Sequence, residues 1–252
     1  MAQIISVINH KGGVGKTTSV ANIGAGLQAM GKRVLMIDID PQANLTRHFG
    51  LQKTSDKTVY GALGRDYALP TLSVKDGLDI SPSHQDLVGW EKLVSDEPGR
   101  ELFLREAVAP IASGYDYALI DCPPSLNLLP INALCASSGI LITVEPSLFS
   151  IEGMSNILNA VEKVRARINK ELGGYRILIT RFFASKVLHR NAEEMIRQAY
   201  GEHVLGSVIR TNVALEEAVM SGVDIFQYDA KSNGAKDYKS VCEEIIKTDF
   251  KI

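Results

Sequence analysis

Two lysines bracket three glycines near the start of this 252-residue chain, in the run Lys11-Gly12-Gly13-Val14-Gly15-Lys16-Thr17-Thr18. A glycine-rich turn lets backbone N–H groups approach phosphate oxygens, and a helix that follows adds the positive end of its dipole. In such a loop Lys16 would meet the β- and γ-phosphates, and Thr17 would offer its hydroxyl to Mg2+. The pattern departs from the usual G-x-x-x-x-G-K-[ST]. His10 stands where the first glycine belongs, and Lys11 is an additional cation. The residue types imply a cradle for ATP and Mg2+ made by Gly12, Gly13, Val14, Gly15, Lys16, Thr17 and Thr18. Three aspartates, Asp38, Asp40 and Asp121, follow apolar runs. In parallel sheets ligands gather at the strand ends where these carboxylates would stand.

These residues work only if a sheet holds them together. Residues 3–9 read as a short apolar strand, and 16–30 as a helix with Val20, Ile23, Ala25 and Leu27 on or near its apolar face. Gly31 closes it, as a glycine at a helix C-terminus does. Residues 32–38 form a second strand, too apolar for an exposed edge, so the unit opens a mainly parallel sheet. Further strands are expected over 78–81, 115–121, 139–144, 175–180 and 204–209. Helices are expected over 101–112, 126–135, 151–172, 191–200, 215–220 and 235–247. The alternation predicts an α/β chain of P-loop NTPase type, one domain over 1–252, with helices on both faces of a central sheet. Residues 46–83 are the least regular and read as surface excursions with short helices.

Composition narrows the class. With 45% hydrophobic, 22% charged and 6% aromatic residues, the chain is neither disordered nor fibrous. Its formal net charge of −2 means that any nucleic-acid binding must use a local basic patch. Cys122, Cys135 and Cys242 are far apart and lack a CxxC pair, which argues against a disulfide framework or a zinc site. The first residues lack a basic leader, and no run reaches about 18 apolar residues, so a cytoplasmic location is expected. The five histidines show no metal-ligand spacing, and a structural role is expected for His10. Leu87, Trp90 and Leu93 read as one helix face packed on the core. Ser125 has no obvious histidine partner for a serine hydrolase.

The deviant loop, together with Asp38-Ile39-Asp40-Pro41-Gln42 and Leu119-Ile120-Asp121-Cys122-Pro123-Pro124-Ser125, resembles the ParA/Soj/MinD group of ATPases. It is most similar to the ParA (Soj-like) partition branch, and the similarity continues through 151–154, 212–218 and 228–235. The resemblance implies an ATP-driven switch: a homodimer in the ATP state, with Lys11 of each subunit reaching the nucleotide of the other like an arginine finger. It implies weak, Mg-dependent, partner-stimulated hydrolysis of ATP to ADP and phosphate. Asp40 matches the residue that orients or activates water, a place that suits a carboxylate beside the phosphate loop. Asp38 would organise the magnesium shell, and Asp121 would act as a Walker-B-like carboxylate. Residues 42–50 and 122–129 would be switch loops, restricted by Pro41, Pro123 and Pro124. Arg181, Arg210 and Asn212 would lie about the adenine, and Glu152 would contact nucleotide or partner subunit.

Members of the group bind duplex DNA without sequence preference, which requires cations opposite phosphates. Lys186, Arg190 and Arg210 are the candidates, with Arg181 and Arg197 behind them. The chain departs from the family here: Arg210 stands one position early before Asn212-Val213, and the usual upstream arginine is replaced near Ser185-Lys186. The expected partners are nonspecific double-stranded DNA on the nucleoid and a ParB-like centromere-binding protein, or a cargo adaptor if the chain positions protein. A MinD-like membrane-associated ATPase is the alternative. The tail from Cys242 mixes acidic and basic residues, so Val241, Ile245 and Ile246 are expected to pack inward rather than to meet lipid. An iron–sulfur ATPase using Cys122 is a remote variant.

Overall fold

The computed structural model describes residues 2–51, 55–147, 150–248 and 250, without the side chains of Ile151 and Glu152. The contact expected of Glu152 therefore lies outside the described residues. The strands are β1 (Gln3–Ile8), β2 (Val34–Asp38), β3 (Leu72–Lys75), β4 (Leu78–Ser81), β5 (Tyr117–Asp121), β6 (Gly139–Val144), β7 (Tyr175–Phe182) and β8 (Val204–Arg210). The helices in the first half are α1 (Lys16–Ala29), α2 (Asn44–His48), α3 (Val59–Leu63), α4 (Leu87–Leu93) and α5 (Phe103–Val108). Those after β5 are α6 (Leu128–Ala136), α7 (Ser150–Arg167), α8 (Val187–Tyr200), α9 (Val213–Met220), α10 (Ile225–Asp229) and α11 (Asn233–Lys247).

One eight-stranded sheet runs in the order β3-β4-β2-β5-β1-β6-β7-β8. Every pairing is parallel except β3 with β4. Alternation along the strands feeds two cores. Val34, Met36, Leu119 and Leu141 join α1 and α11 on one face. Leu35, Ile37, Ile120 and Ile142 join α4 to α8 on the other. Strands buried on both faces read as continuous apolar runs, which is why they stand out in the sequence. Helix α1 lies close against its neighbours because it carries small residues: a Cβ at Gly26 would meet Cys242 Sγ at 2.6 Å. From β1 the chain moves outward to β2 in one direction, and later crosses from β5 to β6 in the other. The strand ends beside β1 are therefore the switch point where an open α/β sheet offers a crevice.

The expected α/β architecture is present, with local differences, among them α7 ending at Arg167 rather than at residue 172. The antiparallel edge strand β3 was not foreseen in the irregular stretch. The helix expected over 101–112 is the shorter α5, flanked by 3-10 turns at Arg100–Leu102 and Ala112–Gly114. Pro110 lacks the N–H that would continue the helical ladder, although Ala109 before it is still helical. Leu87 and Trp90 are buried, but Leu93 is 69% exposed and Val94 takes its place in the core. Steps of three residues drift around a 3.6-residue helix, so the third member of that series leaves the buried face.

Candidate functional site

Gly13 and Gly15 adopt φ of 74° and 76°, the left-handed backbone that lets the chain after β1 curl tightly before entering α1. Gly15 is the N-cap of α1 and supplies no side-chain acceptor, and the first turn holds no acidic residue. The start of a 14-residue helix thus keeps its positive end uncompensated.

The loop's carbonyls are engaged from elsewhere. Lys16 Nζ donates to the Lys11 carbonyl at 3.2 Å, Arg181 Nη1 to that of Gly13 at 3.1 Å, and Thr180 Oγ1 to that of Val14 at 2.9 Å. The Lys11 amide is taken by Asn9 Oδ1 at 2.9 Å. Arg181 itself has a φ of 52°, a strained backbone for a non-glycine residue at the end of β7. These bonds fix a concave loop whose remaining amides suit an anion.

Three carboxylates approach this loop. In the parallel register Asp38 pairs with Asp121, so the ends of β2 and β5 set two acids side by side. Both are fully buried. Burial, opposed by hydrogen bonds from Thr46, pushes Asp38 up to about 7. Burial and the neighbouring Asp38 push Asp121 well above the usual carboxylate range. Asp121 Oδ2 accepts from Thr17 Oγ1 at 2.7 Å, while its Oδ1 is buried with no partner among the described residues. Asp38 is already occupied: Oδ1 accepts the Asp40 amide at 3.1 Å, and Oδ2 accepts the amide and hydroxyl of Thr46 at 2.9 and 2.7 Å. Of the pair, Asp121 keeps the free oxygen. Lys16 is 6% exposed, and burial lowers its pKa against the opposing pull of Asp121.

An orphaned buried carboxylate oxygen beside a threonine hydroxyl, with a second acid adjacent, fits a hard divalent cation that takes oxygen ligands. A buried lysine, the uncapped helix start and the glycine turn fit the phosphates beside it.

A cleft of about 660 Å³ opens over the loop. Of the residues expected at the site, Gly12, Gly13, Gly15, Lys16, Thr17, Thr18, Asp40, Arg181, Arg210 and Asn212 line it. Val14 is 1% exposed and anchors the loop from beneath. Lys11 is exposed and does not line the cleft. His10 lies against Gly153, where an added Cβ would come within 2.3 Å of its ring. Arg47 and His48 also line the cleft and were not foreseen. Their signal is a basic pair at the end of α2, inside the expected switch segment 42–50. His48 Nε2 donates to the Val223 carbonyl at 2.9 Å, and burial holds its pKa below the usual histidine value.

The candidate DNA cations separate. Arg210 Nη2 and Nε bind Asp237 at 2.6–3.1 Å, so its charge is matched inside the chain and it belongs to the cleft wall rather than to a free basic surface. Arg197 is committed to Glu193 and the Leu205 carbonyl. Lys186, with Nζ 4.1 Å from the Phe183 ring centroid, and Arg190, bonded to the Ala184 carbonyl, have no carboxylate partner among the described residues. Val241 and Ile245 are buried as expected, whereas Ile246 is 38% exposed. Among the described residues no helix is long and apolar enough to cross a membrane.

A family model described as an AAA domain matches residues 2–173. The sporulation initiation inhibitor protein Soj of Bacillus subtilis is 38% identical over 249 residues, covering 97% of this chain and 98% of Soj. The chromosome partitioning protein ParA of Caulobacter vibrioides is 35% identical over 250 residues, covering 97% and 94%. The crystal structure of cobyrinic acid a,c-diamide synthase from Mycobacterium smegmatis, with bound ADP and magnesium, superimposes with a TM-score of 0.84 at 28% identity. That match covers 98% of this chain and 95% of the synthase.

Proposed function

Because the chain belongs to the ParA/Soj/MinD family of P-loop ATPases, we propose that it is a Mg-dependent ATPase whose nucleotide state switches a homodimer on and off nonspecific DNA. The observation that carries this reading is the grouping of Lys16, Thr17 and the unpartnered Asp121 oxygen at one end of the sheet. The ADP and magnesium held by the mycobacterial synthase support the same ligand class.

Thr17 and Asp121 would hold the magnesium, which when bound neutralises phosphate charge. Lys16 meets the phosphates, with its ammonium steered by the Lys11 carbonyl. Asp40 lines the cleft and holds or accepts the proton of the attacking water, so that water adds to the terminal phosphorus as ADP leaves. Lys11, exposed and outside this cleft's own lining, reaches the nucleotide of a facing protomer and offsets charge in the transition state. Arg181, Arg210 and Asn212 form the wall for the base. Hydrolysis removes the phosphate that holds the two protomers face to face.

Lys186 and Arg190 carry the DNA contact, doubled in a dimer, and a ParB-like or cargo-adaptor protein stimulates turnover. The test is fluorescence anisotropy of a labelled duplex of arbitrary sequence with ATP, ADP or no nucleotide, at two salt concentrations. Binding with ATP alone, weakened by salt, is expected. Equal binding in all three nucleotide states would overturn the switch.

A further inference from the structure

Ser83 lies just past β4, outside both segments expected to switch, and is 5% exposed. Its hydroxyl donates to the Asp40 carbonyl at 2.7 Å, and its amide donates to Thr46 Oγ1 at 2.9 Å. Thr46 passes its own hydroxyl and amide to Asp38 Oδ2, and Asp38 Oδ1 receives the Asp40 amide. The four residues therefore form a closed ring: Ser83 to Asp40, Asp40 to Asp38, Asp38 to Thr46, Thr46 back to Ser83.

This ring holds a turn that would not hold itself. The Ala43 amide bonds the Asp40 carbonyl at 2.8 Å, but Ala43 has a φ of 52°, which a non-glycine residue keeps only where its surroundings fix it. The Ser83 hydroxyl fills the second lone pair of the same carbonyl. With its amide held by Asp38 and its carbonyl by Ser83, Asp40 has its backbone clamped on both sides. Its carboxylate, which also accepts the Gln42 amide at 2.9 Å, keeps its place in the cleft.

We propose that Ser83 is a positioning residue for hydrolysis, acting through the Asp40 carbonyl and through Thr46 on Asp38, without touching the nucleotide. The inference rests on the role of Asp40 given above. A water-orienting group loses rate steeply when displaced by a fraction of an ångström, so a clamp one residue removed from the chemistry acts on turnover rather than on affinity.

The experiment compares kcat and KM for ATP in the full chain with Ser83→Ala, Asp40→Ala and the double variant, with melting temperatures alongside. Ser83→Ala removes the hydroxyl and leaves the amide that Thr46 accepts. Its kcat is expected to fall about tenfold, the factor one good hydrogen bond supports, with KM within about twofold of wild type. Ser83→Cys, with a weaker donor of similar shape, is expected to fall between. In the Asp40→Ala background, Ser83→Ala is expected to change the rate no further. If Ser83→Ala keeps wild-type kcat while Asp40→Ala is slow, or if the two losses add, the positioning role is overturned and the role of Asp40 stands. If Asp40→Ala turns over at the wild-type rate, the reading of Asp40 fails and this inference fails with it.

Discussion

Lys16 and Asp121 carry opposite burdens at the same strand ends. Each is buried, each has its ionised form penalised by that burial, and each is relieved by the other's charge. In the nucleotide-free protein the balance falls against Asp121, whose pKa is raised above its unfolded value. The folded state then retains protons that the unfolded state has released, so stability is lost as pH rises above about 4. Asp38, pushed up to about 7, acts in the same direction through the same window. Asp121→Asn is expected to raise the melting temperature of the metal- and nucleotide-free protein at pH 8. The rise should be at least about 2–4 °C, the shift one kcal/mol produces in a chain of this size. The same variant should lose the extra stability that Mg-ATP confers, and thermal melts with and without Mg-ATP read both effects. Lys16→Ala is expected to weaken ATP binding at least about tenfold, since a hydrogen bond to a charged group contributes about 1.5–3 kcal/mol. Titration with a fluorescent ATP analogue checks it, and retained affinity would remove Lys16 from the cradle.

Elements fix these residues in different ways, and this decides what a sequence reader can see. The phosphate loop, its helix and the strand-end aspartates announce themselves because each depends on local pattern: glycines between a strand and a helix, or an acid after a run buried on both faces. Ser83, Thr46 and His48 do not, because their roles arise from contacts spanning 37 residues, between Ser83 and Thr46, and 175 residues, between His48 and Val223. Arg210 was legible as a cation and lines the cleft, but its pairing with Asp237 was not legible, since Asp237 lies on α11, 27 residues later. The early start of α8, at Val187 rather than residue 191, follows an extended N-cap at Lys186 that no capping side chain marks. Strand β8 shows a further device. Being at the sheet edge, it exposes backbone donors, and Glu244 from α11 takes the amides of Gly206 and Ser207. Arg197 covers the Leu205 carbonyl on the same strand. An edge blunted this way resists pairing with another chain. Glu244→Ala is expected to cost about 1–2 kcal/mol and to raise aggregation on heating, measured by thermal melting with light scattering.

At the scale of the whole molecule the net charge of −2 would confine the proposed DNA binding to a local patch. Lys186 and Arg190 stand together at the start of α8, whereas the charge of Arg210 is spent on Asp237. Lys186→Ala and Arg190→Ala are each expected to lower ATP-dependent affinity for duplex DNA and to reduce the salt slope by about one. Arg210→Ala is expected to lower the melting temperature instead, because it strands a carboxylate that is only 9% exposed. The proposed switch nevertheless depends on one reaction, cleavage of ATP in the cleft beside β1. The measurement that bears on it most directly is phosphate release from Mg-ATP by the purified chain, run beside Asp40→Ala with ATP binding confirmed in both. The account predicts slow, magnesium-dependent release by the wild type and a loss of at least about 100-fold in the variant, the contribution expected of a positioned acid–base group. Equal release by the two proteins, or release without magnesium, would contradict it.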